Sequence, residues 1–456
     1  MPDVFHWCSF IFLWFCYSQT AECPVCGMAF PAHLIEAHAA ECGDASSSNE
    51  RSSHLVHSEI ATVANTIVQK STEDVLQFLA DRVDAAKEFR LCIDRQDLLE
   101  STLSQWQKKK NSSPVNVLKV VFLGEAGVDT GALRKEFLTD VMTALEDRFF
   151  EGPGEQGKWP KYSTTDLETN NFRAVGEIMA LSLAQGGPPP AFLKNWCYNI
   201  ICHGEIEHSQ LTAEDVADCE SAELIAAVEN CTDTGALLEL SDGIISCGYS
   251  RVIALKNKAS IIRAIVLHST MRIMPMLLQL RKGLQLYGLQ SEMATHPEAC
   301  HGLFVPGRVE EPDADFLLMS CKAHYSDRGT QKEREERKIM KFFQDFLEQI
   351  ETKEVWEESV DESETKELKL TVGDVLKWMT GIAHVPILPA EKRDFIITIQ
   401  FDHNCAEHLG EHKVCYPTVS ACTQTVTLPV QHLSTFEQFT TVFGRAVCGS
   451  AGFHRV

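Results

Sequence analysis

Cys422 lies in a polar stretch near the carboxyl terminus, and its surroundings are typical of a reactive thiol. Thr418, Ser420 and Thr423 carry hydroxyl groups on either side of it, and the alternating residues up to Leu428-Pro429 predict a strand that anchors the loop. A cysteine thiolate can accept an acyl group from another thioester. Nearby hydroxyl and backbone N–H groups can stabilise the oxyanion of acyl transfer, so Cys422 and Thr418 are candidate catalytic residues.

Two other cysteines, Cys405 and Cys415, are alternative nucleophiles because they precede Cys422 closely. Only Cys422 follows threonine and serine at alternate positions and is itself followed by a leucine-proline pair. The nearby histidines that could act as a base or raise the thiolate fraction are His403, His408, His412 and His432. A histidine in such a position is more often a surface or core residue, so none is assigned a role.

A second cysteine group lies near the amino terminus and has the spacing of a zinc site. The sequence C-x2-C-x11-H-x3-C comprises Cys23, Cys26, His38 and Cys42. Two cysteines separated by two residues can chelate one ion from a turn, and residues four apart share one helix face. Four nitrogen and sulfur ligands favour a closed tetrahedral site, so the spacing predicts a small finger holding structural zinc.

Composition limits the classes of function. The 456 residues carry a formal net charge of -23, which argues against general binding of nucleic acid or an anionic membrane. The 17 cysteines have no short, regular framework, so they indicate a reducing compartment, cytoplasmic or nuclear. The apolar run from Val4 to Tyr17 conflicts with this inference, because it could be a signal peptide; it lacks a basic start, and a peripheral anchor or alternative start is the other interpretation.

The segment around Cys422, from Tyr416 to Pro429, resembles the active-site signature of HECT-type E3 ubiquitin ligases. The segment Gly124 to Phe137, which contains Gly-Glu-Ala-Gly-Val-Asp-Thr-Gly, is similar to a second motif of that family. Phe453 stands fourth from the end, where these ligases typically carry a phenylalanine that assists transfer to lysine. The resemblance implies that Cys422 carries ubiquitin as a thioester, that Phe453 is catalytic, and that catalysis uses no cofactor.

The same resemblance implies an α+β fold. It consists of a bilobal HECT-like domain, with a mainly helical N-lobe and a smaller α/β C-lobe, preceded by the zinc finger. The finger itself resembles the UBZ type of ubiquitin-binding proteins. The expected parts are an apolar segment of uncertain role at 1–20, the finger at 21–44, a linker and helical connector at 45–88, the N-lobe at 89–322, a hinge at 323–331 and the C-lobe at 332–456.

Periodicity predicts several elements within this framework. Asp129 is expected to cap the helix after the Gly124 motif, which lacks the residues of a phosphate loop and is interpreted as architectural. The segment from Phe172 resembles a helix of the HECT N-lobe, which implies that Gly176 lies at a close helix contact. Pro275 should kink or end a helix. The expected elements are a strand at 117–123, helices at 61–84, 172–183, 261–280 and 339–350, a solvated acidic loop at 351–369 and a strand at 395–401.

Three hypotheses follow. The first is an E3 ligase whose partners are ubiquitin, a conjugating enzyme and protein substrates, with neither nucleic acid nor membrane expected. The second is a weakly active or inactive HECT-like adaptor of the ubiquitin pathway that binds through its finger. The third is a secreted cysteine-rich protein, which requires cleavage after the apolar run and paired thiols.

Overall fold

A computed structural model describes most of the chain. The described residues are 20–22, 29–31, 69–108, 112–125, 129–205, 209, 211–216, 218–353, 355–361, 364–405, 407, 410 and 412–449. The chain divides into two compact units, Met1–Gln69 and Lys70–Val456. In the first unit the described strands β1 (Thr20–Glu22) and β2 (Ala29–Pro31) pair antiparallel. The predicted zinc ligands Cys23, Cys26, His38 and Cys42 lie outside the described residues, and so does Phe453.

The second unit contains two clusters of buried apolar residues, of which the first extends from Val75 to Phe304. Its strands are β3 (Asp84–Ile93), β4 (Asn116–Phe122), β5 (Phe150–Glu151) and β6 (Trp159–Pro160). Its helices are α1 (Thr72–Ala80), α2 (Leu98–Lys108), α3 (Ala132–Phe149), α4 (Thr164–Glu168), α5 (Asn171–Ala184), α6 (Asn195–His203), α7 (Cys219–Asn230), α8 (Thr234–Glu239), α9 (Ser241–Ser246), α10 (Lys258–Arg272), α11 (Met274–Gly283), α12 (Leu289–Thr295) and α13 (Pro297–Phe304).

The contact between α5 and α11 confirms the expected role of Gly176. A Cβ atom on Gly176 would lie 2.3 Å from the carbonyl oxygen of Leu280, and one on Gly283 would lie 2.2 Å from the carbonyl oxygen of Arg173. Both distances are far below van der Waals contact, so the two helix backbones approach this closely only because both positions are glycine.

The helical stretch at 258–283 divides where the sequence predicts, because α10 ends at Arg272 and α11 begins with Pro275 in its first turn. By length and composition alone, Leu255–Gly283 is apolar enough to cross a membrane. A core helix of a soluble protein satisfies the same criterion, and Ile261, Ile265 and Leu277 are fully buried in the first cluster. The stretch therefore carries no argument for a membrane.

The segment before α3 is held by buried polar groups, as expected of an architectural motif. The Asp129 carboxylate accepts hydrogen bonds from the backbone N–H groups of Gly131 (2.8 Å), Arg134 (3.3 Å) and Val120 in β4 (3.0 Å). Asp129 thus satisfies a free N–H group in the first turn of α3, although Gly131 occupies the N-cap position. The bond to Val120 also fixes the segment to the strand.

The second cluster of buried residues extends from Ala314 to Val447. Its helices are α14 (Ala314–Ser320), α15 (Gln331–Lys353), α16 (Val372–Thr380) and α18 (Phe436–Gly449). Helix α17 (Pro389–Asp394), which lies between α16 and α18 in the chain, contacts α1 of the first core. Its strands are β7 (Cys321–Ala323), β8 (Val355–Asp361), β9 (Glu364–Lys369), β10 (Ile397–Asp402), β11 (Thr418–Ser420) and β12 (Thr425–Pro429). Helix α15 buries the predicted apolar face, and Phe343 and Phe346 pack on Phe439 and Phe443 of α18.

The prediction of a loop at 351–369 is wrong. Helix α15 continues to Lys353, and strands β8 and β9 then pair antiparallel. Strand formers such as Val355 and Trp356 open β8, so their propensity outweighs the acidic composition on which the loop prediction rested. The division of the chain into lobes and a hinge stays a prediction; the second cluster begins before the expected hinge, at Ala314.

Polar contacts join α3 of the first core to residues 377–391. The pairs are Lys377 with Asp140, Lys135 with Glu391 (3.0 Å), and the Thr139 hydroxyl with the Gly381 carbonyl (3.3 Å). His384 is 7% exposed beside them. Burial, with a smaller contribution from the positive charge of Lys135, lowers the pKa of His384 to about 4.

Candidate active site

A four-stranded sheet positions the candidate nucleophile. Its strand order is β11-β12-β10-β7, in which β12 and β7 run parallel to β10, while β11 is antiparallel to β12. A 3-10 turn at Ala421–Thr423 joins β11 to β12. Cys422 is the middle residue of that turn, and helix α16 contacts both β11 and the turn.

The turn is fixed by its own hydroxyl groups and by β10. The Thr423 hydroxyl lies within hydrogen-bond distance of the hydroxyls of Ser420 (2.9 Å) and Thr425 (3.0 Å). Gln424 adopts left-handed backbone angles (φ 48°, ψ 48°), and its carbonyl accepts a bond from the Thr398 N–H of β10 (2.8 Å). A non-glycine residue in this conformation needs such support from its surroundings. The turn is therefore held in place both by its own side chains and by its neighbouring strand β10.

Burial separates Cys422 from the two rival cysteines. The side chain of Cys422 is exposed, and none of the described residues forms a hydrogen bond with its sulfur. Cys405 is fully buried. Cys415 is half-buried, and burial together with the neighbouring Cys405 raises the pKa of its thiol. Because a nucleophile that attacks a partner protein must be accessible, Cys422 is the best of these three candidates.

Buried residues on both sides of the turn anchor it to the second core. Val426 of β12 is fully buried and Leu428 is 2% exposed, so the strand that follows Cys422 is part of the second core. Pro417, just before β11, is buried as well. An exposed thiol on an anchored backbone can meet a large partner without local unfolding.

Thr418 is exposed at the start of β11, opposite Thr427. A strand rises about 3.3 Å per residue, so Thr418 lies roughly 7 Å along the strand from Ser420. Among the described contacts, the hydroxyls of Ser420 and Thr423 hold the turn. Ser420 and Thr423 therefore act as positioning residues for the turn of Cys422.

None of the described histidines forms a hydrogen bond with Cys422. The Nε2 atom of His403 lies 2.7 Å from a carboxylate oxygen of Glu336. His412 and His432 face each other, with their Nε2 atoms 3.0 Å apart. His408 lies outside the described residues.

The predicted hinge contains a buried polar network. The backbone N–H and hydroxyl of Ser326 both donate to Glu336, at 2.7 and 2.5 Å. Glu336 is 1% exposed; burial alone would raise its pKa, but the bonds from Ser326 and His403 outweigh that effect and lower it. Residues 323–331 are thus bound to α15 through Ser326 and Glu336. Glu336 in turn binds His403 in the segment after β10.

Comparison with known proteins gives a weak but consistent relationship. The chain is 23% identical over 329 residues to the G2/M phase-specific E3 ubiquitin-protein ligase of Gallus gallus, which covers 70% of this chain and 41% of the relative. It is 25% identical over 315 residues to the protein of the same name from Macaca fascicularis, which covers 65% of this chain and 40% of the relative. The Homo sapiens protein is 25% identical over 228 residues, or 46% of this chain and 32% of the relative.

The chain thus spans about two fifths or less of the length of these curated relatives. No model of a known protein family matches it. The homology supports a relationship to E3 ubiquitin ligases in general.

Proposed function

We propose that the chain is an E3 ubiquitin ligase of the HECT type that uses Cys422 as its nucleophile. It accepts ubiquitin from a conjugating enzyme as a thioester and transfers it to lysines of protein substrates. The main support is the exposed Cys422 thiol on a turn fixed to a buried strand. The names of the relatives supply the substrate class.

The chemistry is two successive acyl transfers. In the first, the Cys422 thiolate attacks the thioester carbonyl carbon; a new carbon–sulfur bond forms, and the cysteine of the conjugating enzyme leaves as a thiolate. In the second, a neutral lysine amine attacks the same carbon, an isopeptide bond forms, and Cys422 leaves as a thiolate. The lysine proton passes to solvent or a nearby base.

The rigidity of the turn suits these steps, because both tetrahedral intermediates carry a negative oxygen. Backbone N–H groups of a fixed turn can stabilise that oxygen with little reorganisation. We further propose that Thr418 and Phe453 assist transfer and that Cys23, Cys26, His38 and Cys42 hold structural zinc in a finger that contacts ubiquitin or a substrate.

Thioester trapping tests the proposal. The full chain is mixed with activating enzyme, ATP, ubiquitin and a panel of conjugating enzymes, and products are separated with and without thiol reductant. We expect a reducible ubiquitin adduct on the wild type, its complete loss in Cys422→Ala, and a reductant-resistant oxyester in Cys422→Ser. Cys92→Ser is the matched control, because Cys92 is also exposed and free.

Two outcomes would contradict the proposal. An adduct that persists in Cys422→Ala and disappears in Cys415→Ala would move the nucleophile to a rival thiol. Absence of any adduct across the panel, with a folded protein, would favour the non-catalytic adaptor. Binding of free ubiquitin to the full chain, and its loss in Cys23→Ser, would then identify the finger as the contact.

A further inference from the structure

Four side chains with metal-binding atoms converge at one end of the sheet. They are Cys405, His412, Cys415 and His432, and their sulfur and ring nitrogen atoms all lie within 4.8 Å of one another. Cys405 is buried and the other three are half-buried. The group is distinct from Cys422 and from the predicted zinc finger.

The sheet topology brings these residues together from three separate segments. Cys405 follows the end of β10, and His432 ends the 3-10 turn after β12. The two strands are parallel and Asp402 pairs with Pro429, so their carboxyl ends are adjacent. Cys415 arrives from the other direction, three residues before β11. The cluster and Cys422 therefore lie at opposite ends of the β11–β12 pair.

The atoms fit a tetrahedral zinc site. In such a site two nitrogen ligands lie roughly 3.3 Å apart and two sulfur ligands roughly 3.8 Å apart, given the usual bond lengths to zinc. The Nε2 atoms of His412 and His432 are 3.0 Å apart. Two thiolates would balance the charge of the ion, and the absence of carboxylates from the group argues against calcium or magnesium.

The atoms around the cluster also orient the ligands. The Nδ1 atom of His412 lies 2.7 Å from the Gly410 carbonyl oxygen, which can only accept, so Nδ1 carries the proton and Nε2 presents its lone pair to the cluster. A backbone carbonyl on the second ring nitrogen is characteristic of metal-bound histidine. The Cys405 thiol donates to the side-chain oxygen of Gln431 (3.6 Å), and the NH2 group of Gln431 donates to the His403 carbonyl (3.2 Å).

We propose that Cys405, His412, Cys415 and His432 bind one structural Zn²⁺ ion. Binding displaces one proton from each thiol, and the ion takes both thiolates and two neutral imidazoles as ligands. The ion would restrain the backbone that leads to the turn of Cys422. The chain between Asp402 and Thr418 has no described strand, and zinc fixes it at Cys405, His412 and Cys415 to the end of β12. It thereby holds the start of β11, the strand that leads to the turn of Cys422.

A disulfide between Cys405 and Cys415 is the rival interpretation of the same proximity.

Zinc content of the full chain, purified under reducing conditions, is the first test. We expect Cys415→Ser and His432→Ala each to lose about one equivalent of zinc relative to the wild type. His432→Cys replaces one zinc ligand with another and should keep that equivalent. Cys219→Ser, at an exposed free thiol elsewhere, should change nothing. Only the difference in zinc content between each variant and the wild type is interpreted. Any zinc in the amino-terminal finger is common to both proteins and cancels.

Cobalt substitution is the second test and covers variants that fold poorly. In a Cys23→Ser/Cys26→Ser background, Co²⁺ should produce the intense visible bands of a tetrahedral site and thiolate charge-transfer absorption, and Cys405→Ser should abolish both. Equal zinc in the wild type, Cys415→Ser and His432→Ala would overturn the proposal. So would a Cys405–Cys415 disulfide in protein purified without oxidant. Neither readout depends on ligase activity.

Discussion

Two segments of this chain resemble motifs of one family, yet the structure gives them opposite environments. In the segment before α3, the polar groups are buried and occupied: Asp129 is 8% exposed and binds three backbone N–H groups. In the turn of Cys422, hydroxyl groups bind one another, and the thiol itself is exposed. A motif can therefore mark architecture or chemistry, and burial together with hydrogen-bond satisfaction distinguishes the two.

The first prediction concerns the buried side of this comparison and has the largest expected effect on stability. Arg95 donates to Glu125 (2.6 and 3.1 Å) and to Glu136 (2.9 Å), and it stacks on Phe122 at 3.8 Å. Glu136 is 2% exposed, and burial raises its pKa although Arg95 opposes the shift. Arg95→Ala leaves that carboxylate without its cation and should cost about 3 kcal/mol in the free energy of unfolding.

Chemical denaturation measures this cost. The matched control is Arg90→Ala, because Arg90 pairs with Glu88 on the surface (3.1 Å) and should cost less than about 0.5 kcal/mol. Equal effects of the two substitutions would contradict the architectural role of the segment. Thioester formation on Cys422 should survive in any Arg95→Ala protein that remains folded.

The second prediction concerns acid. His384 has a folded-state pKa of about 4, against about 6.5 in an unfolded chain. Below pH 6.5 the unfolded chain binds a proton that the folded protein does not, so stability falls from pH 6.5 to pH 4 and this contribution is constant outside that window. The loss from this group approaches about 3 kcal/mol at pH 4.

The difference in pH dependence between the wild type and His384→Gln isolates the group. The variant should have a shallower decline in unfolding free energy between pH 6.5 and pH 4, whatever its stability at pH 7. Identical slopes would mean that His384 titrates normally and is accessible to water. Because His384 lies beside Lys135 of α3, the result also reports on how tightly α3 packs against residues 377–391.

The sequence predicts the features that depend on local pattern. The break at Pro275, the apolar face of α15 and the strand at Ile397–Asp402 follow from periodicity or from one special residue, and the close approach at Gly176 follows from the family resemblance. The strand after Cys422 follows from the alternating pattern, whereas the sequence does not predict β11 before it. Whether HECT architecture and the amino-terminal finger are present stays a prediction.

Other features depend on contacts that no local pattern contains. Cys405 and His432 are brought together by the parallel pairing of β10 with β12, whereas the sequence alone indicates only an alternative nucleophile at Cys405 and a possible base at His432. The spacing C-x6-H-x2-C at Cys405, His412 and Cys415 is the one signal that could have suggested a metal. Likewise, Glu336 is a polar residue on an amphipathic helix, and only the fold reveals that it holds Ser326 and His403.

The last prediction concerns the exposed side of the comparison and has the smallest expected effect on stability. Thr423→Val removes the hydroxyl that holds the turn and should cost about 1 kcal/mol. Thr427→Val is the matched control, because Thr427 lies on β12 and valine suits a strand. Thioester formation should slow several-fold in Thr423→Val and change less than twofold in Thr427→Val, because only Thr423 fixes the turn that positions Cys422. Equal rates in the two variants would mean that the turn does not limit the rate of thioester formation.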